Sequence, residues 1–145
     1  MFVHRSPQGD VAMAIILIVE DDPVGAEVAT VICQAAGHTT RLATNGREAL
    51  QMLSESHYDL VLMDVQMPEL DGITLTHMLR TEPAFAHLPI LGCTAKAGAE
   101  ALAAMRDAGM DAVVTKPYRN ATLRDAVAEA IATGTRRNAE PVASV

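Results

Sequence analysis

The sequence predicts an α/β fold in which five parallel strands form one sheet covered by helices on both faces. Three observations lead there: five short aliphatic runs at regular spacing, helical hydrophobic periods between them, and acidic, hydroxyl and lysine residues where the runs end. Strands buried on both faces read as continuous apolar runs. Alternation with helices forces right-handed crossovers, which give a doubly wound parallel sheet.

The first run, AIILIV at residues 14–19, is short, β-branched and uninterrupted, as such a strand should be. After it, Val24, Val28, Val31, Ile32 and Ala35 fall on one stripe at helical spacing, and Gly37 supplies a C-terminal stop. The second run, HTTRLA from His38, is the weakest because most of its residues are polar. DLVLMD from Asp59, LPILGCT from Leu88 and DAVVTK from Asp111 complete the sheet. Leu102, Met105 and Ala108 before Gly109 repeat the helix-and-stop design, and Leu123, Val127 and Ile131 make a last stripe with Thr122 as N-cap and Gly134 as stop. This organisation predicts one domain over residues 14–133, a disordered extension at 1–13, a flexible tail at 134–145 and no output domain.

Composition narrows the function. The 145 residues are half hydrophobic but only 3% aromatic, so the core should be aliphatic. With 18 acids against 11 Lys and Arg, the net charge of −7 argues against direct binding to nucleic acid or an anionic membrane and suits a cation or a basic partner face. Cys33 and Cys93 lie in apolar segments without a Cys-x-x-Cys pair, and the five histidines show no metal-ligand spacing, so the cysteines read as reduced core residues. The apolar run at 11–19 is too short to span a bilayer, and acids follow it where a signal peptide would need small residues. A cytoplasmic protein is expected.

In a parallel sheet the C-terminal strand ends converge on one edge, where ligands bind. Glu20, Asp21 and Asp22 follow the first strand, Asp64 ends the third, Thr94 the fourth and Lys116 the fifth. Carboxylates gathered there repel by roughly 4 kcal/mol per pair at about 4 Å and an effective dielectric of about 20, and a divalent cation would compensate them. Magnesium takes one or two carboxylates, waters and a phosphate oxygen. Lys116 can neutralise phosphoryl oxygens, Thr94 can donate a hydrogen bond to them, and Asp64 can attack phosphorus as a nucleophile. In LVLMDVQMPELDG the buried strand fixes Asp64, the break at Pro68 clears the approach to its carboxylate, and Gly72 lets the next helix begin nearby.

The blocks ILIVEDDP, LVLMDVQMPELDG, CTAKAG and VTKPY, in this order and spacing, resemble the signature blocks of a bacterial response-regulator receiver domain over about residues 14–132. The resemblance implies a flavodoxin-like sheet of order 2-1-3-4-5 with five helices. It implies that Asp64 accepts phosphate from a histidine kinase in a magnesium-dependent reaction. Asp21, Asp64 and the backbone carbonyl of Gln66 would ligate Mg2+, or Mn2+ in its place, with Glu20 helping through water. Thr94 and Lys116 would bind the phosphoryl group, and the Lys116–Pro117 bond would be cis. Asp22 matches an acidic position without a fixed role, and Gln66 and Lys96 stand where relatives tune the access of water.

The same resemblance implies a signalling phosphoacceptor that catalyses only its own phosphorylation and slow dephosphorylation, not an enzyme acting on other substrates. Its partners would be a histidine kinase or a histidine phosphotransfer protein and a downstream protein target, with the chain a monomer or a weak phosphorylation-dependent dimer. It could stand alone, relay phosphate, or be the receiver fragment of a hybrid histidine kinase. The competing reading is an aspartyl-nucleophile phosphatase or phosphotransferase, but such enzymes place a second Asp two residues after the nucleophile, where this chain has Gln66. One departure from the family stands out. Receivers carry Tyr or Phe three residues before the lysine, and here that residue is Val113, so the inward-swinging aromatic switch should be absent. Tyr118 is expected to pack against the sheet edge.

Overall fold

The computed structural model describes residues 13–96 and 98–139, with side chains as far as Gly134. The expected N-terminal extension apart from Met13, and the tail beyond residue 139, lie outside them. In chain order the elements are β1 (Ile15–Val19), α1 (Pro23–Ala35), β2 (Thr39–Ala43), α2 (Gly46–Glu55), β3 (Leu60–Asp64), α3 (Gly72–Arg80), a 3-10 turn (Pro83–Phe85), β4 (Ile90–Thr94), α4 (Ala99–Ala108), β5 (Ala112–Thr115) and α5 (Asn120–Ala139). The strands pair in parallel, as their apolar pattern predicts, in the order β2-β1-β3-β4-β5 that the family resemblance implies.

Alternation along the strands divides the core in two. Ile16, Ile18, Leu60, Leu62, Leu91 and Cys93 meet Ala29, Ile32 and Cys33 of α1 and Leu123, Val127 and Ile131 of α5. Leu17, Val19, Val61, Met63 and Ile90 meet Ala49 and Leu53 of α2, Leu75 and Leu79 of α3, and Met105 of α4. Each fully buried Leu or Ile contributes about 1.5–3 kcal/mol over its exposed state, so the central strands anchor whatever projects from their ends. β2 is an edge strand, and most of its side chains are exposed, which explains its polar sequence.

Short polar side chains start α1, α2 and α3. Asp22 accepts the Gly25 N–H at 3.1 Å with Pro23 in the first helical turn, Asn45 accepts the Glu48 N–H at 2.8 Å, and Asp71 accepts the Thr74 N–H at 2.8 Å. Gly109 ends α4 at φ 112°, a conformation that costs a side-chain-bearing residue dearly. His38 is buried and satisfied: its Nδ1 accepts the Ala14 N–H at 3.1 Å, and burial lowers its pKa.

Three expectations need correction. On α1 only Ile32 of the predicted stripe is buried, whereas Val24, Val28 and Val31 are 69%, 37% and 59% exposed and Ala35 is exposed. The buried face is Ala26, Ala29, Ile32 and Cys33, because small residues let the helix lie close to the sheet and to α5. Thr122 does not cap α5, which starts at Asn120 with the Arg119 carbonyl accepting the Leu123 N–H at 2.9 Å. Gly134 does not stop that helix. A Cβ there would collide with Pro89 Cγ, so the glycine is a point of close passage, and the helix continues to Ala139. Among the described residues, no helix is long and apolar enough to cross a membrane.

Candidate functional site

The strand registers bring the predicted residues together. Val19 pairs with Met63, Asp64 with Cys93 and Thr94 with Thr115, so the C-terminal ends of β1, β3, β4 and β5 lie level. Backbone bonds extend the alignment past the strands: the Glu20 N–H donates to the Ala43 carbonyl at 3.0 Å, and the Lys116 N–H donates to the Thr94 carbonyl at 2.8 Å. Glu20, Asp64 and Lys116 share the strand parity of the α1/α5 face, and their side chains meet at its upper rim. Glu20, Asp21 and Asp64 each offer a carboxylate oxygen, all within 4.8 Å of one another. Glu20 and Asp64 are buried and Asp21 is exposed.

One cation serves the buried acids. Lys116 Nζ stands 2.7 Å from Glu20 Oε1 and 3.2 Å from Asp64 Oδ1. Asp64 Oδ1 also accepts the Gln66 N–H at 3.2 Å, while Glu20 Oε2 is buried with no hydrogen-bond partner among the described residues. Burial and the Asp64 carboxylate outweigh the Lys116 ammonium and push the Glu20 carboxyl up from 4.5 to about 7. Burial alone would lower the Lys116 pKa, but the hydrogen bond to Glu20 and the Asp64 charge raise it. Three carboxylates against one ammonium leave a negative excess, and one buried oxygen is unpartnered. A hard divalent cation with oxygen ligands fits that donor set.

Thr94 sits at the end of β4, buried, with its hydroxyl engaged by the next loop: it donates to the Lys96 carbonyl at 3.1 Å and accepts the Lys96 N–H at 3.0 Å. The Lys116–Pro117 bond is cis. Asp22 points into the α1 cap and is spent there. Gly72 confirms the close start expected for α3, since its N–H donates to the Val65 carbonyl at 3.1 Å and a Cβ would collide with the Asp64 carbonyl oxygen. Cys93 lies fully buried beside Thr94. Burial pushes its thiol up to about 12, which leaves it unreactive.

Two residues of the site escape sequence reasoning. The Tyr118 ring packs against the α1/α5 core as expected, but its hydroxyl also donates to Glu20 Oε1 at 3.4 Å, and Lys116 Nζ lies 5.9 Å from the ring centroid. Gly25, in the first turn of α1, leaves room for Glu20, because a Cβ there would stand 2.5 Å from Oε1. A glycine one turn into the helix that follows an acidic cluster is the signal that could have marked it. A groove of about 450 Å³ runs from Glu20 and Asp21 past Pro23, Glu27, Val31 and Leu42. A larger one of about 610 Å³ lies at the opposite ends of the strands, among Met13, His57, Phe85 and Pro89, and touches none of the clustered acids.

Comparison with known proteins agrees with this geometry. Residues 16–128 match the family described as response regulator receiver domain. The chain is 33% identical over 102 residues to the polar-differentiation response regulator DivK of Brucella ovis, covering 70% of this chain and 83% of DivK. It is 37% identical over 101 residues to a gliding motility regulatory protein of Myxococcus xanthus, covering 70% of this chain but only 13% of that protein. Among solved structures, a response regulator from Chloroflexus aurantiacus superposes with a TM-score of 0.80 at 34% identity, over 83% of this chain and 98% of that one. The receiver domain of a sensor histidine kinase, PA1611 of Pseudomonas aeruginosa, with a magnesium ion in its active-site cleft, superposes with a TM-score of 0.77 at 30% identity, over 83% of this chain and 99% of that one.

Proposed function

Because the chain belongs to the response-regulator receiver family of two-component signalling, we propose that Asp64 is its phosphoacceptor and that phosphorylation changes its affinity for a protein partner. The observation that carries the proposal is the single ammonium of Lys116 shared by the buried carboxylates of Glu20 and Asp64 within a cluster of three acids. An Asp64 carboxylate oxygen attacks the phosphorus of a phosphohistidine, the P–N bond breaks, and the imidazole leaves with the electron pair and takes a proton. Lys116 then neutralises the phosphoryl oxygens, and the Thr94 hydroxyl, released from the Lys96 backbone, donates to one of them. Asp21, Asp64 and the Gln66 carbonyl, with Glu20 through water, would hold Mg2+ or Mn2+, which would screen the carboxylates from the incoming phosphate.

The partner side follows from α1. Val24, Val28 and Val31 expose an apolar stripe beside the groove that leads from Glu20 and Asp21. A helix bearing the donor histidine, from a kinase or a phosphotransfer protein in the cytoplasm, can lay its apolar face on that stripe and bring the imidazole to Asp64. The absence of a second Asp at position 66 disfavours a phosphatase, which needs a general acid there. The test is incubation with Mg2+ and acetyl phosphate followed by intact-mass analysis. One phosphoryl group should appear on the protein and not on Asp64→Asn. Label that survives Asp64→Asn, or sustained turnover of a small phosphoester, would overturn the proposal.

A further inference from the structure

We propose that Tyr118 is a positioning residue of the acidic cluster: its hydroxyl holds the Glu20 carboxylate in place when the Lys116 ammonium turns from Glu20 to a phosphoryl group on Asp64. The inference rests on the phosphoacceptor reading above and deepens it. Glu20 Oε1 has two donors, Lys116 Nζ at 2.7 Å and the Tyr118 hydroxyl at 3.4 Å, and the same ammonium lies 3.2 Å from Asp64 Oδ1. A phosphoryl group on Asp64 adds negative charge on the Asp64 side and draws the ammonium that way. Glu20 is 1% exposed and its Oε2 is already unpartnered, so after that move the phenol is the donor left to Oε1 among the described residues. A carboxylate buried this deeply cannot turn to bulk water for a replacement, and a water carried by the metal would engage Oε2, the oxygen still unpartnered, which leaves Oε1 to the phenol.

Placement of the phenol is built into the chain. Tyr118 follows the lysine by two residues, so the segment that delivers the ammonium also delivers the hydroxyl, and the ring is wedged against the core beneath α1 and α5. From the other side Gly25 gives the carboxylate room that any side chain would take away. Glu20 is therefore boxed between Gly25, Lys116 and Tyr118, and only the lysine has a second acid to serve.

Tyr118→Phe keeps the ring and removes the hydroxyl alone. Manganese affinity would be read by electron spin resonance, with and without beryllofluoride, for the wild type, Tyr118→Phe, Glu20→Gln and the double variant, and metal-free melting would report any structural damage. With beryllofluoride bound, Tyr118→Phe should weaken Mn2+ about threefold to tenfold, the net contribution of an ordinary hydrogen bond, as suits a long contact. Without it the loss should be clearly smaller, because Lys116 still holds Glu20, and the double variant should bind no more weakly than Glu20→Gln alone. Equal affinities for wild type and Tyr118→Phe overturn the inference, as do losses of equal size in both conditions or additive losses in the double variant. A wild type that takes up neither Mn2+ nor beryllofluoride would overturn the phosphoacceptor reading and this inference together. A wild type that takes up both, with Tyr118→Phe unchanged, would overturn the inference alone.

Discussion

Replacing Glu20 by glutamine should remove a pH-dependent penalty from folding. In the metal-free protein, burial and then the Asp64 carboxylate raise the Glu20 carboxyl from 4.5 to about 7 in spite of Lys116. The unfolded chain ionises this group near 4.5 and the folded chain only near 7, so between those values the folded state holds the extra proton. The resulting stabilisation is complete below pH 4.5 and is lost as pH rises through about 7. A displacement of this size corresponds to roughly 3 kcal/mol, and most of it falls between pH 5 and pH 8. Urea unfolding of wild type and Glu20→Gln in chelator at those two pH values measures it. The stability difference between the two proteins should move by roughly 2–3 kcal/mol in favour of glutamine on going from pH 5 to pH 8. Saturating Mg2+ at pH 8 should restore the wild type by about 2.7 kcal/mol at a hundredfold excess over its dissociation constant, and the variant by less. Stability profiles of the two proteins that stay parallel across this range would refute the reasoning, because Glu20 would then ionise alike in the folded and unfolded chains.

Three further outcomes are expected. Val31→Glu, on the exposed stripe of α1, should leave the melting temperature nearly unchanged, within about 0.5 kcal/mol, and leave labelling by acetyl phosphate intact, while transfer from a phosphorylated kinase or phosphotransfer protein falls at least about tenfold, as radiolabel kinetics would show. Arg80→Met should cost about 3 kcal/mol in urea unfolding, since the guanidinium donates to the carbonyls of Gly109, Phe85 and Leu88 and pairs with Asp111 at 3.1 Å. Gly72→Ala should cost about 2 kcal/mol by overpacking and slow labelling of Asp64 by acetyl phosphate, because the new methyl group pushes on the Asp64 carbonyl.

Strands β1, β3 and β4 were legible because both of their faces are buried and nearly every residue is apolar. The buried face of α1 was not, since two sets of residues run at helical spacing, Val24, Val28 and Val31 on one side and Ala26, Ala29 and Cys33 on the other. Side-chain size favours the valines for the core. Approach distance favours the alanines, and no local pattern reveals how close the sheet and α5 will come. Gly134 misleads in the same way, because a glycine that ends a helix and a glycine that lets a helix pass over Pro89 look alike in one dimension. Glu20, Asp64 and Lys116 could be placed together from the sequence, since level strand ends make them meet whatever the packing below. The Tyr118–Glu20 contact spans 98 positions between side chains of no fixed pairing, and only the folded chain shows it.

Val113 and Tyr118 illustrate how position on the sheet decides what an aromatic can do. Val113 pairs in register with Gly92, is partly buried against the core under α2, α3 and α4, and shares strand parity with Thr94 through the Thr94–Thr115 pairing. Tyr118 packs against the opposite core, under α1 and α5. It cannot take over the inward swing that the family's aromatic makes at position 113, because its ring would have to cross the sheet. On the Thr94 side the neighbours are instead Gly92, where a Cβ would strike Met110 Sδ and Met105 Cε, and those two buried methionines. Unbranched thioethers repack at small cost, so this layer offers no rigid lever. Among the described residues, Thr94 is tied to the loop before α4 by its pair of hydrogen bonds with the Lys96 backbone, three residues before the helix begins at Ala99. A phosphoryl group on Asp64, as proposed above, would draw the Thr94 O–H away from the Lys96 carbonyl, and α4 would then feel that exchange through the loop before it.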